Sequence, residues 1–108
     1  MSRRYCVISI GEQAPDVEME IHASTPRDAA LKAATRDLRR IYLVEMDSGK
    51  LHVFHGDKVP LKETEENEFT RTRNITAKPV VHKVAYLNLK TSLTRKDLPA
   101  VANEFRQM

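Results

Sequence analysis

The 108-residue chain predicts an α+β fold: a small, partly open antiparallel β-barrel with one close-packed helix and a short C-terminal helix. Two observations predict it. Short apolar segments rich in β-branched residues are separated by turn residues, which is typical of antiparallel strands. One alanine-rich segment has helical periodicity, and a helix with so small an apolar face can approach a sheet closely. The element order is strand-strand-helix-strand-strand-loop-strand-helix, which favours a small barrel.

The chain begins with a predicted β-hairpin. Residues 4–10 are short, apolar and rich in β-forming side chains, and residues 11–16 read as a turn because they contain Gly, Pro and Asp. Residues 17–22 alternate between apolar and polar, which indicates a half-buried strand. We therefore expect these two strands to pair.

A helix is expected directly after the hairpin. Thr25 is its predicted N-cap, Pro26 fits the first helical position, and Asp28 completes a capping box. The helical pattern continues to Arg40. Its apolar stripe consists of Ala30, Leu31, Ala34, Leu38 and Ile41.

The second half of the chain predicts another hairpin, a long loop, a strand and a helix. Residues 41–46 and 51–54 are strands joined by a tight turn, in which Gly49 supplies a positive φ. Residues 57–77 lack periodicity and are predicted to be a long loop, of the kind that often carries function. A strand follows at 78–89 and a short helix at 98–106. We divide the chain into a domain at 1–90 and a C-terminal helical extension at 91–108.

The charge distribution is uneven. The net charge is only +3, but residues 78–108 carry six Lys or Arg against two Asp or Glu. From Thr70 to Lys96 there is no carboxylate at all, whereas Glu63–Glu68 reads E-T-E-E-N-E. A block of one sign in a small domain indicates a surface for a polyanion, although most such blocks serve solubility.

No arrangement of residues indicates catalysis. His52 and His55 are the only close histidines, and on one strand they point to opposite faces. The sequence contains no nucleophile motif and no glycine-rich phosphate loop. We predict no enzyme activity, cofactor, metal or small-molecule substrate. The single cysteine, Cys6, is interpreted as a buried hydrophobic residue.

We expect an intracellular protein without a membrane segment. The first residues, M-S-R-R-Y, lack the apolar core of a signal peptide, and no apolar run approaches the length of a membrane-spanning helix.

Nucleic acid is the polyanion that the basic block favours. A strand places alternate side chains roughly 6.5–7 Å apart, close to the phosphate spacing along one nucleic-acid strand. Lys78, His82 and Lys83, with Arg71 and Arg73 from the loop, would follow a phosphate backbone. Phe69 has two interpretations, a wedge between base pairs or an anchor that folds back onto the barrel.

Three segments together resemble a known family. Thr25–Arg36 reads T-P-R-D-A-A-L-K-A-A-T-R, Lys50–Phe54 reads K-L-H-V-F, and Ile75–Lys83 reads I-T-A-K-P-V-V-H-K. In order and spacing they are similar to segments of the small non-histone chromosomal proteins of methanogenic archaea, over roughly residues 4 to 90. The family's long loop is rich in Lys and Arg and carries a Trp-Met-Pro wedge, whereas this loop has four Glu and no Trp.

The resemblance implies a five-stranded pseudo-barrel with one helix packed across it. It further implies a monomeric, nucleoid-associated protein that binds double-stranded DNA with little sequence preference, bends it sharply and prefers distorted DNA. Bending lets a small protein reach more phosphates. Carried over by position, and with Phe69 in place of the family's wedge, the DNA-binding residues are Arg4, Arg27, Lys50, Phe69, Arg71, Arg73, Lys78, Pro79, His82 and Lys83.

Two other hypotheses stay open at this stage. The chain is alternatively a structural or protein-interaction module of a virion or a ribonucleoprotein particle, which binds its partner through Glu63–Glu68 or the C-terminal helix. In the third hypothesis the acidic loop folds over the basic face when DNA is absent. Deleting residues 63–68 should then tighten DNA binding.

Overall fold

A computed structural model describes residues 2–10, 16–36 and 38–108, which form a five-stranded antiparallel sheet with a helix on each face. The strands are β1 (Arg3–Ser9), β2 (Asp16–Ala23), β3 (Arg40–Glu45), β4 (Lys50–Pro60) and β5 (Ala77–Asn88). The helices are α1 (Pro26–Ala34), α2 (Glu68–Thr72) and α3 (Leu98–Gln107). The predicted α+β class is therefore confirmed.

The sheet is not closed into a barrel, so the predicted partly open β-barrel is wrong. The strand order is β2-β1-β3-β4-β5, and β2 and β5 are the two edges. Helix α1 contacts all five strands, including both edges, so the sheet curves around it. Helix α3 covers the opposite face. Because each face is buried by a helix, the apolar side chains leave water without closure of the sheet.

The predicted N-terminal hairpin is confirmed. β1 and β2 are antiparallel, with Tyr5 opposite Ile21, and the register shifts between Val7 and Ile8. Residues 11–15 of the predicted turn lie outside the described residues, which resume at Asp16, the first residue of β2.

Helix α1 begins as predicted and ends earlier than predicted. The Thr25 hydroxyl accepts a hydrogen bond from the Asp28 N–H at 3.1 Å, and Pro26 is the first helical residue. The helix ends at Ala34 rather than Arg40, because residues from Arg40 onward pair with β4 as strand β3. Its face toward the sheet consists of buried alanines: Ala29, Ala30, Ala33 and Ala34. Small side chains bring the helix backbone close to the strands, as expected.

The turn between β3 and β4 has the predicted geometry. Gly49 has a φ of +73°, and a Cβ at this position would collide with the carbonyl oxygen of Thr91. The Gly49 carbonyl also accepts a hydrogen bond from the Leu89 N–H at 3.0 Å. This glycine therefore lets the segment after β5 pass close to the hairpin.

β4 and β5 extend beyond the rest of the sheet as a two-stranded arm. The predicted loop at 57–77 is much shorter, because Asp57–Pro60 pair with Ala77–Val80. The end of the arm, residues 61–76, contains a 3-10 turn at Glu63–Glu65 and helix α2. This pairing joins residues roughly twenty positions apart, and the local periodicity of a sequence does not predict contacts at that separation.

Helix α3 completes a second core on its side of the sheet. Leu98, Val101 and Phe105 pack in one cluster with Cys6 and Leu51. Burial raises the pKa of the Cys6 thiol, in agreement with its interpretation as a small hydrophobic residue. None of the helices that the structure describes has the length and apolarity to cross a membrane.

Candidate nucleic-acid interface

The ten predicted DNA-binding residues do not share one surface. The sheet has an α1 face and an α3 face, and the arm projects beyond both helices. On the α1 face or at the start of α1 lie Arg27, Lys50, Pro79 and Lys83. On the α3 face lie Arg4, Lys78 and His82. At the end of the arm lie Phe69, Arg71 and Arg73.

The α1 face carries a compact basic group, which we term the Lys50–Lys83 cluster: Lys50, His52, Lys83 and Tyr86. His52 lies directly opposite Tyr86 in the β4–β5 ladder, with ring centroids 5.1 Å apart. The Lys83 ammonium lies 4.3 Å from the centroid of the Tyr86 ring. The two predicted residues Lys50 and Lys83 thus flank a pair of contacting rings whose planes are tilted by 43°.

His52 is neutral at the base of this cluster. It is 2 % exposed, and neither ring nitrogen has a hydrogen-bond partner among the residues that the structure describes. Burial, together with the nearby Lys83 and Lys50 ammonium groups, lowers its pKa to about 4. The positive charge of the cluster at neutral pH therefore comes from the two lysines.

The predicted DNA-binding cations on the α1 side have no carboxylate partner among the described residues. Among the described residues, none forms an ion pair with Arg27, Lys50 or Lys83. Glu45, opposite Lys50 in the β3–β4 ladder, is buried and pairs with Arg3 at 3.3 Å. Lysine and arginine side chains without such partners are available to phosphate groups.

The cations on the α3 face are differently placed. Arg4 approaches Glu20 at 3.7 Å and Asp47 at 4.0 Å, so its charge is partly compensated. Lys78 and His82 share this face, whereas Lys83 lies on the α1 face with Val81. The prediction that Lys78, His82 and Lys83 follow one backbone is therefore wrong, because neighbouring strand residues face opposite sides.

The end of the arm exposes an aromatic ring. Phe69 is 58 % exposed in α2, and the Arg73 guanidinium lies 4.6 Å from its ring centroid. Helix α2 is held by Asn67, whose side chain accepts a hydrogen bond from the Thr70 N–H at 3.0 Å. Of the two interpretations of Phe69, the anchor folded back onto the sheet does not describe this structure.

The acidic segment contacts a predicted DNA-binding residue. The Glu65 carboxylate forms an ion pair with the Lys78 ammonium group, and it also accepts a hydrogen bond from the Lys62 N–H. The Lys78 hydrogen bond, followed by the Lys62 backbone bond, holds the pKa of Glu65 below its usual range. Glu63, Glu66 and Glu68 stay exposed around it.

The described residues contain no group of three or more His, Cys, Asp or Glu side chains placed to hold a metal ion. As predicted, His52 and His55 are on opposite faces, since His52 is buried and His55 is exposed. Comparison of the chain with family models, curated proteins and solved structures finds no match. The resemblance to the methanogen chromosomal proteins stays a prediction based on the three segments that carry it.

Sequence reasoning missed Tyr86 and His52. Tyr86 is the only aromatic residue between Thr70 and Lys96, the acid-free segment, and this was the available signal. The face of the sheet on which Tyr86 lies could not be predicted from the alternation of residues along β5, because the register of β4 and β5 shifts between Val53 and Phe54. One extra residue on β5 moves the side chains that follow it to the other face. No local sequence pattern predicted the Glu65–Lys78 ion pair, because its two residues lie on opposite sides of the end of the arm.

Proposed function

We propose that this protein binds double-stranded DNA with little sequence preference and bends it, as a monomeric architectural protein of the nucleoid type. The observation that carries the proposal is the Lys50–Lys83 cluster on the α1 face. It combines Lys50 and the neutral His52 on β4 with Lys83 on the edge strand β5, which has no acidic residues, and neither lysine has a carboxylate partner among the described residues. Such a surface attracts phosphates regardless of base sequence.

The shape of the molecule also supports this proposal. The basic residues lie on the α1 face, on the α3 face of the arm and at the arm's end, and the molecule measures 45 × 33 × 19 Å. A straight duplex would contact only part of that set, so a curved duplex gains phosphate contacts that offset its bending free energy. Phe69, exposed at the arm's end, is placed to enter between base pairs and favour the bend.

The proposal is tested by neutralising the cluster. A short random-sequence duplex is titrated by fluorescence anisotropy with wild type, with the Lys50→Gln and Lys83→Gln double variant, and with an Arg95→Gln and Lys96→Gln control. Both variants remove two positive charges from the acid-free segment and its surroundings, but Arg95 and Lys96 lie beside α3. We expect only the cluster variant to weaken binding strongly and to reduce the salt slope by about two. Equal losses in both variants, or no binding by wild type at low salt, would contradict the proposal.

A protein-interaction module is the second candidate function, and the end of the arm favours it. Three glutamates are exposed there, and Glu65 neutralises Lys78. Helix α3 is less suited to docking a partner, because its apolar side chains are already buried against the sheet. A virion or ribonucleoprotein partner would therefore meet Glu63–Glu68. Absence of duplex binding together with loss of partner binding after Glu63→Gln, Glu66→Gln and Glu68→Gln would favour this function.

A further inference from the structure

Two aromatic side chains within or beside the acid-free segment are exposed, and each has a cation over its ring. Tyr86 is 46 % exposed under Lys83, and Phe69 is 58 % exposed beside Arg73. Phe69 belongs to the end of the arm, which leads into β5 at Ala77. Ala77 and Tyr86 are nine residues apart, which is roughly 30 Å along a strand. The two rings therefore serve separate positions along any bound nucleic acid.

Tyr86 is held as a fixed platform on the sheet. Its ring rests on the buried His52 ring at 5.1 Å, and His52 lies 6.1 Å from the buried Phe54 ring. Tyr86 is on β5, paired directly with His52 on β4. A ring fixed by its neighbours loses little conformational freedom when a second ring stacks on it. The free energy of binding is therefore not reduced by the entropic cost of ordering the side chain.

The charges around Tyr86 suit a phosphate-linked ring. Lys83 makes no ion pair with any described residue, and its long side chain can leave the Tyr86 ring. Lys50 is a second cation beside His52, and the nearby Glu45 carboxylate is bound by Arg3. A base that stacks on Tyr86 would displace the Lys83 ammonium group from the ring. That ammonium group could then bind the phosphate attached to the base.

We propose that Tyr86 and Lys83 form a binding site for one unpaired nucleobase, with the Tyr86 ring stacking on the base and Lys83 and Lys50 binding the flanking phosphates. The Tyr86 ring packs against His52 on the face of the sheet, so it does not reach between stacked base pairs, and the base must leave the duplex to reach it. The inference rests on the proposed function and adds a substrate class to it: duplex DNA that contains a bulged or flipped base. Stacking of this kind does not depend on base identity, because every base has a π-face.

The test uses a duplex with one bulged 2-aminopurine and the same duplex with 2-aminopurine paired. Wild type is expected to bind the bulged probe roughly tenfold more tightly, and to quench the bulged base by stacking. Tyr86→Ala should lose both the preference and the quenching, so that its affinities for the bulged and paired probes become equal. Tyr86→Phe should keep both, because the ring is retained. Val84→Ala serves as the control, since Val84 is 53 % exposed on the same strand.

Each other outcome overturns the inference. Equal affinity of wild type for both probes would leave the proposed function intact and remove the base site. A preference that survives Tyr86→Ala and is lost in Phe69→Ala would place the site at the arm instead. Absence of binding to both probes would overturn the proposed function as well. Thermal unfolding of Tyr86→Ala and Tyr86→Phe checks that both variants are folded.

Discussion

The Glu65 carboxylate and the Lys78 ammonium group form an ion pair at the end of the β4–β5 arm. Lys78 is one of the residues predicted to bind DNA, and Glu65 belongs to the acidic segment that separates this chain from the family it resembles. The pair supports the hypothesis that the acidic segment competes with DNA for the same cation. Because the pKa of Glu65 is lowered, its carboxylate stays ionised to a lower pH than an unpaired glutamate would, and the competition for Lys78 persists to that lower pH.

Removing this carboxylate should tighten DNA binding. We expect Glu65→Gln to raise duplex affinity by on the order of threefold to tenfold near 0.1 M salt, and to make the salt slope steeper by about 0.9, because Lys78 gains a phosphate contact. Anisotropy titration measures both quantities. Glu63→Gln is the matched control, since it removes the same charge from the same 3-10 turn without breaking the Lys78 pair. Equal effects of the two variants would mean that only net charge matters.

Stability should fall between pH 6.5 and pH 4 because of His52. Its folded pKa is about 4 and its ordinary value is 6.5, so the unfolded chain binds the proton first as the pH falls. The folded state therefore loses about 3 kcal/mol of stability between pH 7 and pH 4 from this residue. Urea unfolding at several pH values measures it. The free energy of unfolding of His52→Phe should fall less between pH 7 and pH 4, by about that amount. An unchanged fall would show that His52 takes up its proton as readily in the folded protein as in the unfolded chain.

Helix α3 should contribute to the stability of the whole domain. Phe105 is buried and meets Tyr42 edge-on, with ring centroids 5.3 Å apart. Phe105→Ala is expected to lower the free energy of unfolding by about 3–5 kcal/mol, the usual cost of removing a buried aromatic ring. Gln107→Ala, on the exposed side of the same helix, should change it by less than about 0.5 kcal/mol. A loss under about 1 kcal/mol for Phe105→Ala would contradict the packing of α3 on the sheet.

Local signals in the sequence predicted most elements of the fold. Thr25 and Pro26 mark the start of α1, and Gly49 marks the turn that its positive φ requires. The end of α1 was misplaced because the helical pattern continues to Arg40. That residue begins a strand, and its pairing with His55 is a non-local contact. Tertiary pairing overrode local propensity at this point.

Sheet closure is likewise a non-local property. A barrel requires β2 to pair with β5, and no spacing in the sequence records whether two edges meet. The apolar side of α3 carried the useful signal, because Val101 and Phe105 need a second sheet face to cover. A sheet buried on both faces by helices has less need to close.

The candidate site was predicted in composition and not in geometry. The acid-free segment became the edge strand β5, where Lys83 is exposed as expected. Strand alternation separates Lys78 from Lys83, and the register shift places Tyr86 against His52. The contact of Tyr86 with His52 depends on a single inserted residue, so the sequence pattern alone did not reveal it.

The most direct test of nucleic-acid binding is the salt dependence of duplex affinity for the wild-type chain. A random-sequence duplex is titrated by anisotropy from low to physiological salt. We predict micromolar or tighter binding at low salt, with a logarithm that falls linearly with log salt at a slope of about 0.9 per phosphate contacted. No binding at low salt, or binding that does not change with salt, would contradict a polyanion-binding role for the Lys50–Lys83 cluster.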